Sequence, residues 1–383
     1  MLSRQLGIFP YALVAVSSGL AVPFAHGQDI LIGQVSSQTS PTLAANSKAL
    51  YAGINVYFDH VNARGGVGGR KLRLVNKDDQ LVPAKMVELT KEFIADRNVL
   101  ALAGYQNTAG INEVSKQDIP GRAGIAMIAP FQGDKSIVGA ANFFPFRSGY
   151  PDEVTALVRE AKSTGKQKVI VVYQNISFGP PMMKLVQALA KEHGLNVVDY
   201  PMIDPAAPDK VVVADAVATV VKKEPDAVIV LVGGRWVWEL VKQIKNANLD
   251  GTQLYLMSIV PAQDLVKAVG QAKARGIVIS QAVPYPFSAT LPLVVEYQKV
   301  MKQYAPNEPL SFSTLEGFVV GKITVEALKR ASPKPTREKV LKALNSMGEL
   351  DLGGVYVNYT PKARNGWGGV DLTVIGANGK LLR

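Results

Sequence analysis

The sequence predicts an α/β protein with two lobes, each built around a parallel β-sheet. Short apolar segments of strand length alternate with segments of helical periodicity over almost the whole chain, which is the pattern of α/β folds. The apolar segments are nearly continuous runs of Val, Ile and Leu, as expected for strands that helices cover on both faces. The 383 residues are enough for two domains of ordinary size.

Strands are predicted wherever a short apolar run is rich in branched side chains. In chain order these runs are residues 30–35, 72–75, 99–103, 125–128, 169–173, 227–232, 254–257 and 277–280. Helical periodicity between them predicts helices at residues 82–93, 182–193 and 236–247, and Gly194 stops the second of these. No internal repeat is evident, so the two lobes are expected to share architecture rather than sequence.

The segment from residue 54 to residue 79 combines an amphipathic helix, a glycine-rich turn and a strand. A loop that cradles phosphate leaves a strand and opens a helix, whereas this loop has the opposite order and is not predicted to bind a dinucleotide. Asp78 and Asp79 close the strand. Because adjacent side chains at a strand end point apart, we interpret them as turn residues rather than as a catalytic carboxylate pair.

The first residues are predicted to be a signal peptide. Arg4 precedes a mostly apolar run, residues 6–22, and Ala25-His26-Gly27 offers small residues at the positions that a signal peptidase inspects. We expect cleavage after Gly27 and export to the periplasm. A retained membrane anchor is disfavoured because the run is shorter than the ~20 apolar residues that a span needs. The chain has no cysteine, so it forms no disulfides there.

Composition argues against nucleic-acid binding and against catalysis. The formal charge is +11, but Lys and Arg are scattered singly rather than clustered on one face with aromatic residues between them. There is neither a G-x-S-x-G elbow nor a Walker A loop, and His60 and His193 are the only histidines after the leader. We therefore predict no catalytic residues, no metal site and no cofactor.

Several features of the chain occur together in one known family. They are the leader, the first strand followed by Ser36-Ser37, the helix and glycine turn at residues 61–70, Asp78-Asp79 with Pro83-Ala84, Pro145-Phe146-Arg147, and the Gly pair before a strand at residues 352–357. As a set they resemble the periplasmic solute-binding proteins of the leucine/isoleucine/valine-binding family. The match covers essentially the whole chain after the leader.

The resemblance implies two doubly wound lobes joined by three hinge strands, with a solute bound in the cleft between them. We place the crossings near Arg147, Pro284 and Gly354. One lobe then comprises residues 28–147 and 284–353, and the other residues 148–283 and 354–383. The implied function is delivery of a small solute to an ABC permease complex in the inner membrane, by a monomer. A sensor for a signalling receptor and an exported α/β hydrolase are the alternatives.

On the first lobe, the resemblance places the solute carboxylate at the loop after strand 99–103, with Gln106, Asn107 and Thr108. Thr108 lies where the family has a small hydroxyl residue, and backbone amides that open a helix suit an anion. The alternative is that these residues only cap the helix. Phe131, Gln132 and Gly133 form a second predicted contact, in which Phe131 is either cavity wall or core.

On the second lobe, the resemblance implies an aromatic wall with Phe178 and Trp236 and a contact from Arg235, whereas Trp238 is predicted to pack within the lobe. Amino-acid binders carry an acid after the strand at 254–257, but this chain has Ser258-Ile259-Val260-Pro261. A buried ammonium without an acceptor would lose several kcal/mol. We therefore expect a carboxylic acid with an apolar or aromatic body that lacks the amine, or else a branched-chain amino acid whose ammonium finds a different partner. Arg235 is either its forked donor or a solvated side chain, and Arg147 is expected to be structural.

Overall fold

The structure, a computed structural model, describes residues 28–40, 43–208, 211–249 and 251–383. The predicted signal peptide, with its cleavage site after Gly27, lies outside the described residues. In chain order the strands are β1 Ile30–Ser36, β2 Leu72–Asp78, β3 Val99–Ala103, β4 Ala126–Ile128, β5 Phe143–Phe144, β6 Val169–Gln174, β7 Val197–Asp199, β8 Met202–Ile203, β9 Ala227–Leu231, β10 Gln253–Leu256, β11 Val278–Gln281, β12 Gly348–Asp351, β13 Tyr356–Tyr359, β14 Arg364–Asn365, β15 Asp371–Ile375 and β16 Leu381–Leu382.

The helices lie between the strands and cover the sheets. In chain order they are α1 Ala44–Asn62, α2 Pro83–Ala95, α3 Thr108–Lys116, α4 Ile119–Ala123, α5 Tyr150–Ser163, α6 Gly179–His193, α7 Ala214–Lys223, α8 Arg235–Asn246, α9 Ala262–Val269, α10 Gln271–Ala274, α11 Pro292–Tyr304, α12 Phe312–Arg330 and α13 Arg337–Asn345. A single 3₁₀ turn, Lys135–Ile137, is also present in the described part of the chain.

The first lobe is a five-stranded sheet in the order β2-β1-β3-β4-β5, with parallel pairing throughout. Separate apolar clusters cover its two faces, which explains why its strands carry no polar alternation. On one face α1 and α12 cross closely. A Cβ on Gly53 would lie 2.1 Å from the Thr314 carbonyl oxygen, and one on Gly317 would lie 2.2 Å from that of Leu50, so this crossing requires glycine on both helices.

The second lobe is a larger sheet in the order β16-β15-β11-β10-β9-β6-β7, with β8 also paired to β6. Its central strands β6, β9, β10 and β11 are parallel, and β15 joins β11 in the antiparallel sense. Apolar clusters again cover both faces. The predicted α/β fold with two doubly wound, parallel-sheet lobes is confirmed, and every strand predicted from the sequence overlaps an observed strand.

In the part of the chain that the structure describes, three segments pass from one lobe to the other. The first passage follows β5 and contains Arg147, and the second follows β11 before α11. The third was predicted near Gly354, but β13 pairs with β12 there, and Val357 and Tyr359 belong to the core of the first lobe. The glycine pair instead makes a hairpin turn, in which the amides of Gly353 and Gly354 both donate to the Asp351 carboxylate at 2.8 and 2.7 Å. The third passage therefore lies between β14 and β15.

Candidate binding cavity between the lobes

The carboxyl ends of strands from both sheets meet around a cavity of about 620 Å³. The loops that follow β3 and β4 contribute Gln106, Asn107, Thr108 and Phe131 from the first lobe. The loops that follow β6 and β9 contribute Phe178, Arg235 and Trp236 from the second lobe. The structure therefore brings together these residues, which the sequence singled out on separate segments, at the edge where parallel α/β sheets present ligand-binding loops.

The loop after β3 is held rigidly before α3. Asn107, at a φ of 121°, accepts a hydrogen bond from the Gly110 amide at 3.2 Å and so caps the helix. Its Nδ2 donates to the Asp79 carboxylate at 2.8 Å. The same carboxylate accepts from the Ser37 hydroxyl at 2.6 Å and from the Leu81 amide at 2.9 Å. Asp79 thus organises the loop, in keeping with a turn role rather than a catalytic one.

Gln106 and Thr108 are fixed from opposite sides of this loop. The Gln106 Oε1 accepts from the Ser47 hydroxyl of α1, whereas its buried Nε2 has no hydrogen-bond partner in the described part of the chain. The Thr108 hydroxyl lies 3.2 Å from the phenol oxygen of Tyr150, which begins α5 in the second lobe. The same loop therefore caps α3 and lines the cavity. The side-chain amide of Gln106 and the first turn of α3 both lie beside the cavity.

Phe131 lines the cavity, but the two residues after it do not. Gln132 and Gly133 lie on the far side of the first passage and line another cavity of about 640 Å³. The Gln132 side chain donates to Asn112 Oδ1 at 2.8 Å, and a Cβ on Gly133 would lie 2.5 Å from the Tyr150 ring. The predicted solute contact of these two residues is not seen, because the Gln132 side chain is held by Asn112 and Gly133 packs against the Tyr150 ring.

Aromatic rings form the second side of the cavity. Phe178 is 6% exposed and its ring centroid lies 5.4 Å from that of Tyr150. The guanidinium of Arg235 stacks on Trp236 at 4.0 Å from the ring centroid, and Trp238 packs against the core of the second lobe. Sequence reasoning missed Tyr150, which lines the cavity and whose pKa burial raises.

The described residues that line the cavity include one charged side chain, Arg235, and no Asp or Glu. Its walls are otherwise aromatic and aliphatic rings and chains with a few amides and hydroxyls. A carboxylate can be solvated there by a guanidinium, an amide and backbone N–H groups, whereas an ammonium finds no anionic partner on the lining.

A cluster of buried charges lies behind Phe131. Arg147 is 5% exposed; its guanidinium lies 4.0 Å from the Phe131 ring centroid and donates to Ser258 Oγ at 2.6 Å. Glu153 of α5 is fully buried and accepts from the Ser258 amide and hydroxyl at 2.8 and 2.9 Å. Glu316 of α12 lies 3.9 Å from Arg147. The two glutamates were not singled out from the sequence, although an acid inside the apolar run of α12 was a visible signal.

Within the described residues, no group of three or more His, Cys, Asp or Glu side chains is placed to hold a metal ion. In the same part of the chain, no helix combines the length and apolar character needed to cross a bilayer.

Comparison with known proteins places the chain among binding proteins. A model of the family described as periplasmic binding protein matches residues 29–380. A Leu/Ile/Val-binding protein homolog 3 from Brucella melitensis is 24% identical over 339 residues, which are 87% of each chain. An extracellular ligand-binding receptor from Verminephrobacter eiseniae has a TM-score of 0.84 at 27% identity, covering 93% of this chain and 100% of that one. A solute-binding protein of an ABC transporter from R. palustris, solved in complex with benzoate, has a TM-score of 0.76 at 19% identity, covering 92% and 95%.

Proposed function

The chain belongs to the periplasmic binding protein family, and we propose that it captures a small solute with a carboxylate and an apolar or aromatic body for an ABC importer. Members of this family bind solutes rather than transform them. The observation that carries the proposed solute class is the lining of the inter-lobe cavity, in which Arg235 is the charged residue and aromatic side chains form the walls.

The carboxylate is assigned to the gap between Arg235 and the loop that opens α3. A guanidinium offers forked donors that match a carboxylate, and the first amides of a helix favour an anion. The Gln106 Nε2, which has no partner in the described residues, is a further donor beside this gap. The rings of Phe131, Phe178 and Trp236 are then left to enclose the body of the solute.

An α-ammonium group is disfavoured by the same lining. Taking it out of water without an anionic acceptor costs several kcal/mol even after relaxation. The buried carboxylate nearest to Ser258 is that of Glu153, which already accepts from the Ser258 amide, the Ser258 hydroxyl and the Ser280 hydroxyl. We therefore favour an amine-free acid over leucine, isoleucine or valine.

Delivery follows from lobe closure, as in other two-lobed binding proteins. We propose that the protein is exported, that its leader is removed after Gly27, and that it works as a monomer that docks on an inner-membrane permease complex. Lobe boundaries at the three passages, near Arg147, after β11 and between β14 and β15, are part of this proposal.

Thermal unfolding against a panel of solutes tests the proposal. The purified protein, freed of copurified solute, is heated with benzoate, phenylacetate, hexanoate, succinate or leucine. A true solute at a hundredfold excess over its dissociation constant stabilises the native state by ~2.7 kcal/mol. Stabilisation by monocarboxylates and not by leucine is expected. Stabilisation by leucine alone would contradict the solute class, and no stabilisation by any compound would contradict carboxylate capture.

A further inference from the structure

The cluster behind Phe131 joins the two lobes through one guanidinium. Arg147 lies in the first passage; its Nη2 donates to Ser258 in the second lobe, and its Nη1 lies 3.9 Å from Glu316 Oε2 in the first lobe. The flat face of the same guanidinium supports Phe131, a wall of the inter-lobe cavity, at 4.0 Å. These contacts place one guanidinium against both lobes and against the cavity wall.

The two carboxyl groups of the cluster are not equivalent. Glu153 accepts three hydrogen bonds, from Ser258 N, Ser258 Oγ and Ser280 Oγ, which favour its ionised form. Glu316 is 3% exposed, and within the described residues its polar contact is the ion pair with Arg147, which is longer than a hydrogen bond. With both carboxyls ionised, the buried cluster carries one net negative charge. Because Glu316 has fewer hydrogen bonds than Glu153, its ionised form is the less stabilised of the two, and Glu316 is the group that takes up a proton first.

We propose that Arg147 is a positioning residue for the Phe131 wall and that the cluster of Arg147, Glu153 and Glu316 couples solute capture to the uptake of a proton by Glu316. This inference rests on the proposed function, because it concerns how the same cavity holds its carboxylate. The geometry gives the direction of the coupling through two separate effects.

Burial is the first effect. Glu316 is 3% exposed in the arrangement seen here, and burial together with the Glu153 charge favours the neutral carboxyl. The solute is the second effect, since its carboxylate, held between Arg235 and the loop that opens α3, adds a negative charge to the cavity whose Phe131 wall lies against Arg147. In the arrangement seen here, burial raises the pKa of Glu316 to about 7, with Arg147 opposing the rise and Glu153 adding to it.

The other charged groups around the cluster do not replace Glu316 in this role. Tyr150 of α5 faces Arg147 and Glu153, but burial raises the pKa of its phenol, so it stays neutral. Where α1 packs on α12 beside Glu316, the contact is made by Gly53 and Leu50. Of the other charges on or against these elements, Lys322 pairs with Glu296, Arg330 with Glu326 and Lys267 with Asp264. The side chains of Lys48, Asp59, Arg159 and Lys329 are exposed to solvent.

The test is the pH dependence of solute affinity. Calorimetric titrations between pH 6 and 8.5 use whichever of benzoate, phenylacetate, hexanoate, succinate and leucine stabilises the protein most. The carboxylic acids are ionised throughout this range, so titration of the solute itself adds little. Affinity is expected to fall by up to about tenfold from pH 6 to pH 8.5. Titrations at pH 7.5 in phosphate and in Tris, which differ in ionisation enthalpy, count the protons directly, and uptake of roughly half a proton per solute is expected.

Glu316→Gln replaces the acid by a neutral side chain of the same shape. Its affinity is expected to be nearly independent of pH and close to the low-pH affinity of the unmodified protein. Glu326→Gln is the matched control on the same helix, where Glu326 pairs with Arg330 at 2.8 Å, and it should keep the full pH dependence.

Each outcome has a distinct meaning. A change of less than about twofold over this pH range, or no proton uptake, overturns the inference and leaves the proposed function standing. Unaltered pH dependence in Glu316→Gln overturns the assignment to this residue. If none of the compounds stabilises the protein at any pH, the proposed function fails and the inference fails with it.

Discussion

Replacing Arg147 by methionine removes the guanidinium that lies between two buried carboxyl groups. The variant loses the hydrogen bond to Ser258 at 2.6 Å, the ion pair with Glu316 at 3.9 Å and the stacking on Phe131. Ser258 still donates to Glu153, so that part of the cluster is kept. Removing one partner of a buried ion pair typically costs ~3 to 5 kcal/mol, and we expect a loss of that size in the free energy of unfolding at pH 8.

The loss should depend on pH, with a sign that follows from the carboxyl groups. Burial raises the pKa of Glu153 and of Glu316, and Arg147 opposes both shifts. A carboxyl whose pKa is raised in the folded state gives stability that is complete below its unfolded pKa and is lost as pH rises through the folded pKa. Without Arg147 both values rise further, so the variant should be closer to the unmodified protein at pH 5 than at pH 8.

Urea unfolding at pH 5 and pH 8 measures both effects. Adding Glu316→Gln to Arg147→Met should recover stability at pH 8, because it removes the buried carboxyl group whose pKa is raised by burial. Arg159→Met, an exposed change on α5, is the control and should be neutral. A cost below about 1 kcal/mol at pH 8, or an equal cost at both pH values, would refute the reasoning.

Three further variants test the cavity itself. Arg235→Ala should reduce the free energy of binding of an anionic solute, measured by calorimetry, by ~1.5 to 3 kcal/mol through loss of a charge-assisted bond. Arg275→Ala, at an exposed position, is the control and should bind normally. Equal affinities in the two variants would show that Arg235 does not contact the solute. Thr108→Val should reduce carboxylate affinity without altering the melting temperature by more than a few degrees, while Thr108→Ser, which keeps the hydroxyl, should bind normally. Asp79→Ala leaves two buried donors, the Ser37 hydroxyl and the Asn107 amide, and the partly buried Leu81 amide without their acceptor. It should lower the urea midpoint, at a cost of ~1 to 3 kcal/mol, and an unchanged midpoint would mean that the loop rearranges freely.

The strands were predictable because burial on both faces leaves a local mark on the sequence. Residues 99–103 were assigned without error, since a strand covered on both sides has no polar positions to obscure its limits. The third passage was not predictable in the same way. A glycine pair serves equally in a hairpin turn and in a crossing, and the choice depends on the pairing of β13 with β12, which local sequence does not encode.

The cavity was partly predictable for a related reason. Loops at the carboxyl ends of parallel strands converge in this class of fold, so residues 106–108, Phe178 and Arg235 could be assigned to one region without knowing their distances. Gln132 and Gly133 could not be separated from Phe131, because the direction of each side chain in this loop is set by tertiary contacts with Asn112 and Tyr150. Tyr150 begins α5, whose sequence pattern indicates only an amphipathic helix. Its position beside Thr108 follows from the tertiary fold.

The solute class depends on the whole lining of the inter-lobe cavity and not on the residue at position 258 alone. An acid is in fact present beside Ser258, since Glu153 reaches it from α5, about a hundred residues earlier in the chain. That carboxylate is fully buried, it accepts three hydrogen bonds, and Arg147 donates to the same serine. The Glu153 carboxylate therefore accepts its hydrogen bonds from groups inside the protein and not from the cavity. An ammonium in the cavity would meet the Phe131 ring and, behind it, the Arg147 guanidinium, and no carboxylate of the described lining would accept its hydrogen bonds.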